Sequence, residues 1–151
     1  MSLLEVRDLF VEFRTRDGVA RAVNGVSYTV EAGETLAVLG ESGSGKSVTA
    51  QAVMGILDMP PGRITGGEIL FQGRDLLSLP EEERRRIRGS KMAMIFQDAL
   101  SSLNPVLTVG FQLAEMFRVH QGLGRKEARA RAVELMERVR IPAARQRVGD
   151  F

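Results

Sequence analysis

The chain has 151 residues, 44 % of them hydrophobic, a formal net charge of +2 and no cysteine. That length and apolar content suffice for a domain with its own core, while a disulfide framework and a thiolate metal site are excluded. With 21 basic against 19 acidic residues, no apolar run of membrane-spanning length and no signal-peptide pattern at the start, the chain reads as soluble and cytoplasmic, not as a nucleic-acid binder.

Residues Leu3 to Phe13 alternate, with Leu4, Val6, Leu9, Val11 and Phe13 as inward positions. The alternation predicts a strand with one irregularity near Arg7-Asp8. Asp17-Gly18 and Asn24-Gly25 are turn signals, with strand expected over Val19–Val23 and Val26–Val30. Glu31-Ala32-Gly33 then turns the chain into Thr35–Leu39, a short apolar run rich in strand formers.

Gly40-Glu41-Ser42-Gly43-Ser44-Gly45-Lys46-Ser47 fits G-x-x-x-x-G-K-[ST] at every fixed position. Ser47 to Leu57 follows as an apolar helix, stopped by Pro60-Pro61. At average amino-acid usage such a match arises by chance in roughly one chain of this length in two hundred, and the strand and helix around it lower that further. A glycine-rich loop can turn several backbone N–H groups inward as a nest for phosphate oxygens, and the helix adds the positive end of its dipole. Lys46 can reach the β- and γ-phosphates as a point charge, and the Ser47 hydroxyl can ligate Mg²⁺. The run Gly40, Glu41, Ser42, Gly43, Ser44, Gly45, Lys46, Ser47 and Val48 is therefore the expected nucleotide-binding set.

Gly66 to Gly73 predicts a strand bounded by glycines. Ser78-Leu79-Pro80-Glu81 has a capping-box pattern. The helix after it runs from Glu81-Glu82-Glu83 to Arg84-Arg85-Arg86 and Arg88, with Gly89 as its C-cap and an expected Glu81–Arg85 pair. That charge order favours a solvated helix over a basic patch for nucleic acid. Lys91–Gln97 predicts a second short apolar strand ending on a polar residue, followed by a loop over Asp98–Pro105. Val109, Leu113, Met116 and Phe117 keep helical spacing. So do Ala128, Ala132, Leu135, Met136 and Val139, with Glu127–Arg131 and Glu134–Arg138 on the outer face and Pro142 as the stop. The expected division is residues 1–97, a nucleotide-binding core with a β layer, and residues 98–151, the start of a helical subdomain.

Together the glycine loop, the segment Met94-Ile95-Phe96-Gln97-Asp98 and Ser102-Leu103-Asn104-Pro105 resemble the ATP-binding subunit of ABC transporters, in the variant of dipeptide, oligopeptide and nickel importers. The resemblance runs from Leu3 to Val148. It implies an α/β fold of the P-loop NTPase class with an ABC-type nucleotide-binding domain. It also implies ATP and Mg²⁺ as cofactors, with Lys46 and Gln97 as the catalytic pair. Gln97 becomes the glutamine that touches Mg²⁺ or the attacking water, so Ser47 and Gln97 are the expected metal contacts.

The implied partners are transmembrane permease subunits and a second ATP-binding subunit, with an extracytoplasmic solute-binding protein engaged indirectly and no nucleic acid. The implied location is the inner face of the cell membrane, and the implied work is ATP hydrolysis driving peptide import.

Such subunits also carry an LSGG-type signature, an apolar run ending in Asp-Glu and a switch histidine, none of which occurs in this sequence. The resemblance therefore implies the N-terminal portion of the subunit, inactive by itself. Ile64-Thr65-Gly66-Gly67-Glu68 imitates a signature but leads into a strand, and His120 lies in an amphipathic helix as a surface or packing residue. The position aligned with the adenine-stacking aromatic is Asp17, while Phe13 and Tyr28 read as strand packing. Two other readings stand: a non-hydrolysing nucleotide-binding subunit that regulates a complete partner, and a P-loop protein acting on nucleic acid, disfavoured by the charge balance. A small-molecule kinase or GTPase lacks a following acidic Mg²⁺ ligand.

Overall fold

The computed structural model describes residues 2–98 and 102–151. Residues 99–101 of the expected loop lie outside the described residues, as does Met1. The chain divides into two compact units, one running to Arg88 and the other from Gly89 to Phe151. The expected 97/98 boundary lies nine residues further on, so the segment before Gln97 groups with the helices.

The first unit is built on β1 (Leu4–Thr15), β2 (Gly18–Val30), β3 (Gly62–Phe71) and β4 (Arg74–Asp75). All neighbours are antiparallel, in the order β2-β1-β3-β4. The irregularity expected near Arg7-Asp8 is present: the register shifts between Val6 and Leu9, and Asp8 adopts φ 42°. The bulge moves the inward set from even to odd positions, so Val6, Leu9 and Val11 are all buried. Asp8 N–H donates to Ser27 Oγ at 2.8 Å, which closes the gap in the ladder.

Arg16-Asp17 forms the β1–β2 turn, and Thr15 Oγ1 donates to the Gly18 carbonyl at 2.9 Å. Asn24-Gly25, expected as a turn, lies instead inside the single strand β2. There Gly25 (φ 74°) makes a second bulge, between the pairs Leu9–Val26 and Phe10–Asn24. The physical reason is that β1 continues across it as one template, so an extra residue is absorbed as a bulge rather than a reversal. β3 begins at Gly62, four residues before the sequence pattern, because Gly62 and Arg63 pair with Phe13 and Glu12. Tyr28 is partly buried in β2, and burial pushes its hydroxyl above the usual tyrosine range.

The helix after the glycine loop is α1 (Lys46–Met54). It ends earlier than expected, because Gly55 takes the left-handed conformation (φ 64°) and its N–H returns to Ala52 O. Thr49, Ala52 and Val53 are its buried residues.

α2 (Glu81–Ile87) has Pro80 at its N-cap. Ser78 Oγ donates to Asp75 O at 2.8 Å and so does not form the expected capping box. Glu81 pairs with Arg84 and Arg88 instead of Arg85. Arg88 also donates Nη1 to Gly55 O at 2.6 Å, which ties α2 to the end of α1.

The second unit contains α3 (Val109–Gln121), α4 (Arg125–Arg138) and a short α5 (Ala144–Arg147) that the sequence pattern did not show. Ala132, Met136, Ala144 and Val148 form its core, with Val109, Leu113, Ala114, Val133 and Ile141 packed around them. Two members of the expected apolar faces, Met116 and Val139, are exposed. The core of three short helices is narrow, and alanines at 128 and 132 bring α4 close enough to fill it without them. Arg131 pairs with Glu134 at 2.9 Å, three residues away, and not with Glu127. α4 stops before Pro142, where Arg140 turns left-handed (φ 61°) and Ile141 N–H donates to Met136 O.

No helix among the described residues is long and apolar enough to cross a membrane.

Candidate nucleotide site

Gly40 to Ser47 forms a closed loop at the start of α1. Gly43 (φ 81°) and Gly45 (φ 86°) both take the left-handed conformation, which a Cβ disfavours. Ser44 N–H donates to Glu41 O at 3.2 Å, closing the turn. Lys46 folds back over it: Nζ donates to Gly40 O and Glu41 O, both at 2.6 Å, and to Ser44 Oγ at 3.1 Å. The ammonium is thus held at the centre of the loop, with each of its three protons engaged. A Cβ on Gly40 would stand 2.6 Å from Ser44 Oγ, so a side chain there would turn that hydroxyl away from Lys46 Nζ.

Gly45 is the N-cap of α1, and no side chain caps the helix. The first-turn N–H groups of Lys46, Ser47 and Val48 therefore remain directed outward, as an anion site requires. Thr49 anchors the turn from beneath, its N–H and Oγ1 both reaching Gly45 O at 2.8 and 2.9 Å. Behind the loop, the backbone of Gly45 lies against the Ala22 carbonyl of β2, leaving no room for a side chain. β2 is thus the wall that sets the loop's position.

The set predicted from sequence, Gly40 through Val48, is brought together by this geometry. Ser47 sits exposed in the first helical turn. Among the described residues no group of three or more His, Cys, Asp or Glu could hold a metal ion. A cation here would be held by phosphate oxygens and the Ser47 hydroxyl, the mode Mg²⁺ commonly uses with nucleotides.

Two expected strands are not formed. Thr35–Leu39 has no assigned secondary structure and pairs with no strand among the described residues, and Leu39 is 90 % exposed. Lys91–Gln97 is likewise unpaired apart from a contact of Gly89 N–H with Met92 O, and Ile95 is 97 % exposed. An isolated apolar segment has strand propensity but no ladder without a neighbour on either side.

Gln97 is exposed and belongs to the second unit. Ser102 Oγ donates to Asp98 O at 3.1 Å, beside Gln97. Ile64–Glu68 lies within β3, and His120 is exposed in the last turn of α3, its ring facing Gly89.

Residues 23–150 match the family described as ABC transporter. The chain belongs to the ABC transporter family. An oligopeptide transport ATP-binding protein of Bacillus subtilis is 50 % identical over 149 residues, which is 99 % of this chain and 42 % of the relative. The corresponding oligopeptide protein of Salmonella typhimurium is 49 % identical, covering 97 % of this chain and 43 % of the relative. A peptide import ATP-binding protein of Brucella abortus, named as putative, is 48 % identical over 99 % of this chain and 45 % of its own length. The chain thus spans under half the length of these ABC relatives. Among solved structures, the dimeric post-hydrolysis state of an ATP-binding cassette bound to ADP and Pi superposes with a TM-score of 0.79 at 22 % identity. That match covers 97 % of this chain and 60 % of the other, and it establishes the ABC cassette fold.

Three packing roles were not read from sequence, although Arg88 was named there as part of the basic end of its helix. Arg88 joins α2 to α1, Gly110 abuts Val148, and Gln112 grips a loop. Gln112 carried one signal, a polar residue beside the apolar positions of α3.

Proposed function

We propose that the chain forms the phosphate-binding half of an ATP-binding component of a peptide importer. The observation that carries this reading is the loop Gly40–Ser47 closed around Lys46 Nζ at the uncapped start of α1. With a nucleotide bound, Lys46 would give up the loop carbonyls for β- and γ-phosphate oxygens, the N–H groups from Gly43 to Val48 would take the remaining phosphate charge, and the Ser47 hydroxyl would be the protein's ligand to Mg²⁺. Mg²⁺ bound with the nucleotide supplies charge neutralisation between the β- and γ-phosphates. Gln97 would, by the family resemblance, contact the metal or the attacking water.

The names of the relatives support peptide import as the task; permease subunits and a second ATP-binding subunit as partners, and the inner membrane face as the place, belong to the same proposal. Residues 98–151 serve as the start of the helical subdomain that approaches the permease.

The test is ATP turnover by the protein assembled with its permease subunits, set beside turnover by the 151-residue chain alone. The assembly is expected to hydrolyse ATP, with turnover raised by peptide-loaded binding protein and lost in Lys46→Ala. The isolated chain is expected to show negligible turnover, because no Asp or Glu in it follows a suitable apolar strand as general base. Lys46-dependent turnover by the isolated chain, or an assembly indifferent to Lys46→Ala, would contradict the reading.

A further inference from the structure

Charge is not spread evenly along the chain. Between Arg125 and Arg147 eight basic side chains stand against three acidic ones, Glu127, Glu134 and Glu137, although the whole chain is nearly balanced. α4, which carries most of the excess, is not stabilised by it. Its first turn holds Arg125 and Lys126 with no side-chain cap, so both cations meet the positive end of the helix dipole. α2 has the opposite order, acidic residues first and arginines last. Helix stability thus does not account for the cations of α4.

Part of this surface is concave. A groove of about 350 Å³ lies between α4 and α5, lined by Lys126, Arg129, Ala130, Val133 and Glu137 from α4 and by Arg145 from α5. The α4 residues stand at i, i+3, i+4, i+7 and i+11, which makes one stripe about 16 Å long at 1.5 Å per residue. Val133 packs against the core of Ala132, Met136, Ala144 and Val148, and this fixes the apolar floor. Both carboxylates of the groove are already matched. Glu134 pairs with Arg131 at 2.9 Å, and Glu137 lies 3.7 Å from Arg145. Lys126 and Arg129 make no ion pair or side-chain hydrogen bond among the described residues. Two unmatched positive charges therefore stand at one end of a groove whose other end is neutralised.

We propose that this groove docks an acidic helical segment of a partner protein, with carboxylates against Lys126 and Arg129 and an apolar side chain over Ala130 and Val133. The shape and charge select the occupant. A helix laid along a groove presents side chains at the same i, i+3, i+4, i+7 spacing that the stripe shows, and the alanine lets it approach closely. A lipid surface is held by large apolar side chains that insert into it, and this groove offers none. A nucleic-acid strand would carry phosphates past Glu134 and Glu137 and would find no aromatic ring to stack on. All the groove residues belong to the second unit, so the proposal does not depend on the nucleotide reading.

The experiment is titration of the full chain, without nucleotide, with a fluorescent probe peptide of about three helical turns. The peptide carries Glu at i and i+3 and Leu at i+4 and i+7. The same peptide with Lys for Glu, vesicles of phosphatidylglycerol and a short oligouridine are run beside it. The acidic peptide is expected to bind, more weakly as salt is raised, and the Lys peptide is not. Lys126→Glu with Arg129→Glu is expected to weaken binding at least about tenfold, since two attractive pairs become repulsive. Ala130→Glu keeps both cations but sets a carboxylate on the floor, and is also expected to weaken binding. Arg118→Glu with Arg138→Glu makes the same change in net charge outside the groove, so affinity should stay within about twofold of wild type.

No binding of the acidic peptide to wild type at about 1 mM, or an equal loss in the groove and control variants, overturns the proposal. Tighter binding of the vesicles or the oligouridine than of the peptide, lost in Lys126→Glu with Arg129→Glu, also overturns it and assigns these cations to lipid or nucleic acid. Should that double variant fail to fold, Ala130→Glu carries the test.

Discussion

Gly45→Ala is expected to abolish nucleotide binding and to lower the stability of the β-rich unit. Two effects add at this position. The backbone is left-handed at φ 86°, where an L-residue with a Cβ is disfavoured by roughly 1–2 kcal/mol. The Cβ would also overlap the Ala22 carbonyl oxygen, a backbone atom at the register shift of β2 between the pairs Val11–Val23 and Glu12–Arg21. Overpacking of that kind costs about 1–3 kcal/mol. Together they remove roughly 3 kcal/mol, a large share of the 5–15 kcal/mol that a domain has in reserve.

The chain can relieve the overlap only by lifting the loop off β2, and that displaces the N–H groups of Lys46 and Ser47 from their common focus. Measured together, chemical denaturation and nucleotide titration should both respond. Wild-type values in each would show that β2 does not position the loop. By contrast, Gly43 has open space where its Cβ would stand, so Gly43→Ala tests the left-handed backbone alone and is expected to have the smaller effect.

The second large effect is expected at Gly110→Ala. On helix propensity alone the change should stabilise α3 by about 1 kcal/mol, since alanine is the better helix former. Packing reverses the sign. The added Cβ would overlap Val148 Cγ2 and the Val148 carbonyl oxygen, and that carbonyl is also the acceptor of the Gly110 N–H. Val148 is one of the largest fully buried side chains, so α5 must move away and open the core around Ala132, Met136 and Ala144.

A net loss of about 2 kcal/mol follows from overpacking against the propensity gain, equivalent to a fall in Tm of roughly 4–8 °C for a domain of this size. A thermal scan showing Gly110→Ala equal to or above wild type would mean that α5 is not packed against α3. The double variant Gly110→Ala with Val148→Ala is expected to recover part of the loss, because the overlapping methyl is removed.

What could be read in the sequence was whatever depends on neighbours in the chain. The alternation of β1 predicted its inward face, and even the bulge at Asp8 was visible as a break in phase between Val6 and Leu9. The glycine loop was legible because its chemistry needs fixed residue types at fixed spacing. Lys46, Gly43 and Gly45 stand where that spacing implies.

Features that depend on distant partners were not legible. Asn24-Gly25 has the composition of a turn, yet β1 runs past it and turns it into a bulge. Thr35–Leu39 and Lys91–Gln97 have the composition of strands, yet a strand is defined by a ladder: no described residue pairs with the first, and the second has a single bridge at Met92. Ser78 has the spacing of a cap, but the carbonyl of Asp75 is the nearer partner for its hydroxyl. Gly110 drew no comment in the sequence, because its close neighbour Val148 lies 38 residues away. Gln112 was not legible because its three partner atoms lie on a loop five to eight residues upstream, which helical periodicity does not report.

The central claim is that Gly40–Ser47 binds the phosphates of a nucleotide through Lys46. Titration of MgATP, and of AMP as a control, into wild-type protein and Lys46→Ala tests it most directly. Losing a charge-assisted hydrogen bond to phosphate costs about 1.5–3 kcal/mol, so MgATP should bind roughly 10- to 100-fold more weakly to the variant. AMP, which lacks the β- and γ-phosphates, should bind weakly to both proteins and be insensitive to the substitution. Equal MgATP affinity in wild type and Lys46→Ala would contradict the account, since the ammonium now held by Gly40 O, Glu41 O and Ser44 Oγ would then have no part in holding the nucleotide.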